Sequence, residues 1–179
     1  MKRITVFCGS ASGVLPVYSQ AALELGQMLA KRNIGLVYGG AQIGLMGTVA
    51  DAVLHAGGEV IGVIPHFLGQ REIAHENLTE LIRVNDMHER KMKMNELSDG
   101  VIALPGGYGT LDELFEMLTW AQLNLHAKPI GLLNINGYYD PLLTFVDHMT
   151  EQGFVHPEHR DLLLSDTNLT ALFSKMGLS

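Results

Sequence analysis

Short apolar runs bounded by glycine recur along the chain and constrain its fold more than any other feature. The clearest runs span 4–8, 34–38, 60–64, 101–104 and 130–133, and weaker ones span 81–84 and 162–164. Runs that are apolar throughout are typical of strands buried on both faces. Between them, apolar residues recur at helical spacing, as in Ala21, Leu25 and Met28. This alternation predicts an α/β fold, a Rossmann-like doubly wound parallel sheet with helices on both faces.

Length and charge limit the classes of protein to consider. A chain of 179 residues is expected to form a single domain over 1–179. The formal net charge of -7 argues against general affinity for nucleic acid or for an anionic membrane. The single cysteine, Cys8, excludes an internal disulfide. Because no apolar stretch has the length of a signal peptide core or a membrane span, we expect a cytoplasmic protein.

Glycine-rich segments follow several of the predicted strands. The segment 9–13 follows the first run, Gly39 and Gly40 follow the second, and Pro105 opens the segment that follows 101–104. Open α/β sheets bind ligands at the carboxyl ends of their strands. The sequence therefore predicts a ligand site where these segments meet.

The segment PGGYGTLDE, residues 105–113, is the most informative of them. Its glycines precede a predicted helix that begins near Thr110, and a helix N-terminus after such a loop favours phosphate. Glu113 then falls in the first helical turn, where a phosphate would repel it, so its placement indicates chemistry on the ligand. A capping box of Thr110 and Glu113 is the plainer interpretation of that pair. It leaves the three preceding glycines unexplained.

Basic residues cluster in a second segment, 85–91, which precedes a predicted helix through Leu97. A solvated, charged helix start is the ordinary interpretation of such a run. However, Arg90 and Lys91 would lie near the positive end of the helix dipole, which an anionic ligand would relieve. The eight histidines lack metal-ligand spacing, and Cys8 has no evident base beside it, so we expect neither a metal nor a redox cofactor.

Taken together, these segments resemble a known family. PGGYGTLDE fits the PGGxGTxxE signature of the LOG ("lonely guy") family, the cytokinin riboside 5'-monophosphate phosphoribohydrolases, which are often described as lysine decarboxylases. Residues 8–10, 39–40, 44–47, 87–91 and 119–123 resemble the same family in the same order. The resemblance implies hydrolysis of the N-glycosidic bond of N6-modified adenosine 5'-monophosphates. The products would be the free base and ribose 5-phosphate.

The resemblance also implies roles for individual residues. Arg90 and Glu113 would be the catalytic pair. The nucleotide would contact Glu72, Arg90, Lys91, Gly107, Tyr108, Gly109, Thr110, Leu111, Asp112, Glu113 and Thr119. The family is homodimeric, so the implied partners are a nucleoside 5'-monophosphate and a second copy of the chain.

Two other functions are compatible with the same loops. A nucleotide-binding carrier or sensor, similar to molybdenum-cofactor carriers, would need the glycine loops but not Arg90 and Glu113 together. A decarboxylase would need a lysine that binds pyridoxal phosphate, and no lysine here lies in a convincing context. Release of free base from a nucleoside monophosphate distinguishes the hydrolase from the carrier, and a spectrum without cofactor absorbance would count against the decarboxylase.

Overall fold

Residues 2–68 and 74–178 are described by a computed structural model, in which seven strands alternate with helices. The strands are β1 (Arg3–Phe7), β2 (Gly35–Tyr38), β3 (Val60–Pro65), β4 (Glu80–Val84), β5 (Gly100–Ala103), β6 (Ile130–Leu133) and β7 (Leu163–Asp166). The helices are α1 (Pro16–Lys31), α2 (Gly44–His55), α3 (Met87–Leu97), α4 (Tyr108–Gln122), α5 (Asp140–Glu151), α6 (Pro157–Arg160) and α7 (Leu169–Lys175). A short 3₁₀ turn covers Ile135–Gly137.

All seven strands pair in parallel in one sheet, in the order β4-β3-β2-β1-β5-β6-β7. The predicted fold class is therefore confirmed, including the two weaker strand candidates, which form β4 and β7. The strand order reverses between β1 and β5, where Thr5 pairs with Val101. In open α/β sheets this reversal opens a crevice at the carboxyl edge.

The core lies in two layers, one on each face of the sheet. One layer packs α1, α2 and α7 against the sheet through residues such as Leu25, Val49 and Phe173. The other packs α3, α4 and α5 through Met94 and Leu114, among others. Each fully buried large aliphatic side chain contributes about 1.5–3 kcal/mol. These layers hold α3 and α4 side by side on one face, which places both next to the crevice.

No helix within 2–68 and 74–178 combines the length and the apolar character needed to cross a membrane.

Candidate active site

A cavity of about 220 Å³ lies at the carboxyl edge of the sheet, where β1 and β5 end. It is lined by Cys8, Gly9, Ser10, Met46, Leu68, Arg90, Gly107, Tyr108, Gly109, Thr110 and Glu113. The loops after β1 and β5 are tied together here, because the Gly9 amide donates to the Pro105 carbonyl at 3.0 Å. The structure thus brings two of the three predicted glycine segments to one cavity.

The N-terminus of α4 forms one wall of this cavity. The helix begins at Tyr108, two residues earlier than expected, with Gly107 as the N-cap residue. The amides of Tyr108, Gly109 and Thr110 precede the first intrahelical hydrogen bond, from the Leu111 amide to the Gly107 carbonyl at 3.1 Å. Within the described ranges no side chain caps this terminus. Several amides at the positive end of the helix dipole therefore adjoin the cavity, an arrangement suited to an anion.

The capping-box interpretation of Thr110 and Glu113 is wrong. Thr110 is the third helical residue rather than the cap, and Glu113 lies in the second turn of α4. The Glu113 carboxylate pairs with Arg90 instead. Thr110 has a different structural role, because a Cβ added to Gly106 would lie only 2.0 Å from Thr110 Oγ1. Glycine at 106 therefore lets the loop lie directly against the helix.

Arg90 and Glu113 form a buried ion pair across the α3–α4 boundary. Arg90 Nη1 lies 3.0 Å from Glu113 Oε1, and both residues are 7% exposed. Arg90 Nε donates to the Val63 carbonyl at 3.1 Å, which fixes the guanidinium at the end of β3. Glycine at 39 makes room for it, since a Cβ there would lie 2.0 Å from Nη2. The charge of Arg90 near the start of α3 is thus relieved by a protein carboxylate.

The charge of Glu113 is finely balanced. Burial raises the pKa of its carboxyl group to about 7, although the neighbouring Arg90 cation opposes the rise. A buried ion pair is weak evidence for stability, since desolvation offsets the Coulomb attraction. A carboxyl that titrates near neutral pH inside a cavity is instead typical of functional sites.

The loop before α4 is supported by two tyrosines that are not among the predicted site residues. The Tyr138 hydroxyl donates to the Gly106 carbonyl at 2.6 Å, and the Tyr139 hydroxyl donates to the Leu104 carbonyl at the same distance. Their rings contact each other edge to face, with centroids 4.8 Å apart. These contacts fix the backbone on which the α4 amides depend.

Not every residue predicted to bind the nucleotide lies at the cavity. Lys91 Nζ is held between Asp112 and Glu116, at 3.1 Å from each carboxylate. The Thr119 hydroxyl donates to the Phe115 carbonyl one turn earlier in α4. The remaining predicted contacts are Leu111, which packs against the core beneath α4, and Glu72, which lies outside the described residues.

Five lining residues were not among the predicted contacts: Cys8, Gly9, Ser10, Met46 and Leu68. Cys8 and Ser10 belong to the first strand end and its loop, so the glycine pattern could have indicated them. Burial raises the pKa of the Cys8 thiol well above its ordinary value, so the thiolate needed for nucleophilic attack is disfavoured. Met46 lies in the segment 44–47 that resembles the family, but its apolar pattern, like that of Leu68, does not distinguish it from a core residue.

Comparison with known proteins identifies the family. A protein-family model described as "possible lysine decarboxylase" matches residues 46–176. The chain is 53% identical to the cytokinin riboside 5'-monophosphate phosphoribohydrolase LOG7 of Arabidopsis thaliana, over 98% of this chain and 81% of that protein. It is 51% identical to the probable enzyme LOGL2 of Oryza sativa subsp. japonica, over 98% of this chain and 72% of that protein.

Solved structures with lower identity share the fold. The molybdenum cofactor carrier protein of Chlamydomonas reinhardtii is 20% identical, with a TM-score of 0.72 over 98% of each chain. The molybdenum cofactor binding protein of Rippkaea orientalis is 23% identical, with a TM-score of 0.69 over 94% of this chain and 91% of that one. At these identities the similarity concerns the fold alone. The family match and the relatives above 50% identity confirm the predicted membership: the chain belongs to the LOG family.

Proposed function

We propose that this protein hydrolyses the N-glycosidic bond of nucleoside 5'-monophosphates, with N6-modified adenosine 5'-monophosphates as the preferred class. The products are the free base and ribose 5-phosphate. The names of the relatives support this reaction. The observation that carries the proposal is the buried Arg90–Glu113 pair beside the uncapped N-terminus of α4, with both lining one cavity.

The α4 terminus is the proposed 5'-phosphate site. Three backbone amides and the positive end of the helix dipole would bind the phosphate without requiring a basic side chain. Binding of this remote group orients the sugar, so that the barrier falls through positioning as well as through charge. A nucleoside without phosphate should therefore be a poor substrate.

Glu113 is the proposed group that acts on the sugar. As the bond from C1' to the base nitrogen breaks, the ribose gains positive charge, as in other glycoside hydrolyses. The Glu113 carboxylate would stabilise that charge through the ribose hydroxyls or orient the water that adds to C1'. Both roles require the ionised form. Because the pKa of Glu113 is about 7, we expect the rate to rise as the pH increases through that value.

Arg90 is the second proposed catalytic residue. One of its N–H groups faces Glu113 and another faces the Val63 carbonyl. Guanidinium carries five N–H donors, so donors remain for the phosphate or for the departing base. Both assignments are compatible with its position at the cavity.

The family resemblance supports a wider binding set and a homodimer, and we include both in the proposal. Glu72, Leu111, Asp112 and Thr119 are proposed contacts that would depend on the bound nucleotide or on the second subunit. Light scattering of the purified protein would test the dimer. The single, buried thiol of Cys8 suits a reducing compartment, which supports a cytoplasmic location.

The decisive experiment measures free base and ribose 5-phosphate released from a panel of nucleoside monophosphates and the matching nucleosides. Glu113→Gln should retain nucleotide binding, measured by calorimetry, but lose roughly 10³-fold in turnover. Glu96→Gln, an exposed change on α3, is the matched control, since within 2–68 and 74–178 Glu96 forms an ion pair with Lys93 alone. Near-normal turnover by Glu113→Gln would remove this residue from the mechanism.

The same assay distinguishes the hydrolase from a nucleotide-binding carrier. Nucleotide binding without release of base from any substrate would favour a carrier. The family description of a lysine decarboxylase finds no support at the site, because the described residues lining the cavity include no lysine to bind pyridoxal phosphate.

A further inference from the structure

Lys91 connects the two helices that carry the proposed catalytic pair. It lies on α3 next to Arg90, and its Nζ is 3.1 Å from Asp112 Oδ2 and 3.1 Å from Glu116 Oε1 on α4. The Lys91 side chain is only 10% exposed, so these contacts are partly shielded from water. The two carboxylates flank Glu113 in the sequence of the helix. Lys91 therefore acts on the surroundings of Glu113 without lining the cavity.

We infer that Lys91 is a positioning residue: it neutralises Asp112 and Glu116 and thereby keeps Glu113 paired with Arg90 as an ionised carboxylate. This role rests on the proposed function of Glu113. It differs from the direct nucleotide contact that family resemblance implies for Lys91, because it places the action of the ammonium on protein carboxylates.

Charge counting around Glu113 supports this role. Within the described ranges, the groups that act on it are Arg90 and Lys91 from α3, Asp112 and Glu116 from its own helix, and the Cys8 thiol from the end of β1. Three carboxylates thus face two cations. Without Lys91 a single cation would face all three, and the carboxylates on either side would disfavour ionisation of Glu113.

The directions of the individual influences agree with this count. Burial raises the pKa of Glu113 most, Arg90 and Lys91 lower it, and Asp112 and Glu116 raise it. At Lys91, partial burial lowers the pKa, but the hydrogen bonds to Glu116 and Asp112 outweigh that effect and the pKa lies above its ordinary value. Lys91 thus stays charged over the pH range in which Glu113 titrates.

The experiment compares Lys91→Met, Lys91→Arg and a matched control on the same helix. Lys93→Met serves as the control, because the Lys93 side chain is 38% exposed and, among the described residues, forms its ion pair with Glu96 alone. A carbon-13 NMR titration of the Glu113 carboxyl in the free protein reads the charge effect directly. Its result does not depend on activity, so it also holds if the proposed function fails. The pH profile of kcat/KM on adenosine monophosphate is the second measurement.

In Lys91→Met we expect the pKa of Glu113 to rise and the acid limb of the profile to move to higher pH. The loss in kcat/KM should be about tenfold near pH 6 and small near pH 9. Lys91→Arg should restore the wild-type limb. Adding Glu116→Gln to Lys91→Met should return the limb part of the way, because one of the uncompensated carboxylates is gone.

A direct nucleotide contact would behave differently. Lys91→Met would then raise KM at every pH, including the range in which Glu113 is fully ionised, and Glu116→Gln would restore nothing. That result, or an unchanged Glu113 titration in Lys91→Met, overturns the inference. If instead no base is released by the wild type while the titration moves as expected, the electrostatic role holds and only the proposed function fails.

Discussion

The helices α3 and α4 lie side by side at the crevice, yet their N-termini are built in opposite ways. At α3, Asp86 Oδ1 accepts a hydrogen bond from the Glu89 amide at 2.8 Å. Glu89 Oε2 in turn accepts from the Asn85 amide at 2.7 Å. At α4 the cap residue is Gly107, and no side chain in the described parts of the chain accepts from the first amides.

At the α3 terminus the first amides contribute to stability, whereas at the α4 terminus they are left to bind a ligand. The first amides of a helix need partners, and a side-chain cap supplies them at a gain of about 1 kcal/mol over alanine. The α3 terminus has such a cap, and the α3 residue that lines the cavity, Arg90, lies one turn further on. The α4 terminus has no such cap in the described residues, and its first amides lie beside the cavity. A bound phosphate would complete α4 as Asp86 completes α3.

The largest effect is expected from a variant that gives α4 a side-chain cap like that of α3. In Gly107→Asp, the new carboxylate should accept from the amides near Thr110 and exclude phosphate from them. A Cβ at this position meets nothing within 4 Å and the backbone is extended, so the change itself is tolerated. We expect KM for adenosine monophosphate to rise roughly 100-fold through lost hydrogen bonds and charge repulsion.

Gly107→Ala controls for the added Cβ, since it carries no acceptor. Relative to it, Gly107→Asp should be about 1 kcal/mol more stable to unfolding by urea while binding nucleotide far more weakly. Equal KM values for the two variants would show that the phosphate does not bind at this terminus.

These caps also mark where sequence reasoning succeeded and where it failed. The capping box that is the plainer interpretation of Thr110 and Glu113 does not form. At α3, by contrast, Asp86 accepts from the Glu89 amide, and Glu89 accepts from the amide of Asn85, the residue before the cap. Both segments have an acceptor followed three residues later by glutamate, so the pattern alone cannot choose between them. The choice depends on where each helix begins. Glycine permits a start at Tyr108, and only the packed structure fixes it there.

The sheet was predictable because its signal is local. Runs such as 101–104 are apolar throughout and end at glycine or proline, and these properties persist whatever the rest of the chain does. The Arg90–Glu113 pair is different, because it joins residues from α3 and α4 that only the sheet order brings together. Its existence could be suggested by family resemblance, but its burial and the raised pKa of Glu113 could not.

A smaller effect is expected from a variant that removes one amide at the start of α4 and leaves the others free to bind. Proline suits the first helical position, and the extended Gly107 before it is compatible with proline. Tyr108→Pro should therefore keep α4 intact while deleting the Tyr108 N–H. Relative to Tyr108→Ala, which keeps the amide, we expect a KM for adenosine monophosphate about tenfold higher.

The ratio between these two variants is the quantity to measure, because both lose the exposed tyrosine side chain. For the matching nucleoside, which has no phosphate to bind, the two variants should have equal KM values. A ratio that is the same with and without the phosphate would place the effect in the helix rather than in its ligand.

The smallest effect on the kinetic constants is expected from the reverse change, which removes the side-chain cap of α3. Asp86→Ala removes the acceptor for the Glu89 amide and should cost about 1 kcal/mol of stability, a fall in Tm of about 3 °C for a chain of this size. Asp86→Ser retains a cap and should recover most of the loss. The kinetic constants should stay near wild type in both, because Arg90 is held by Val63 and Glu113 rather than by the cap. A large rise in KM without loss of stability would mean that the α3 terminus also binds the substrate, and the contrast between the two helices would then be one of degree.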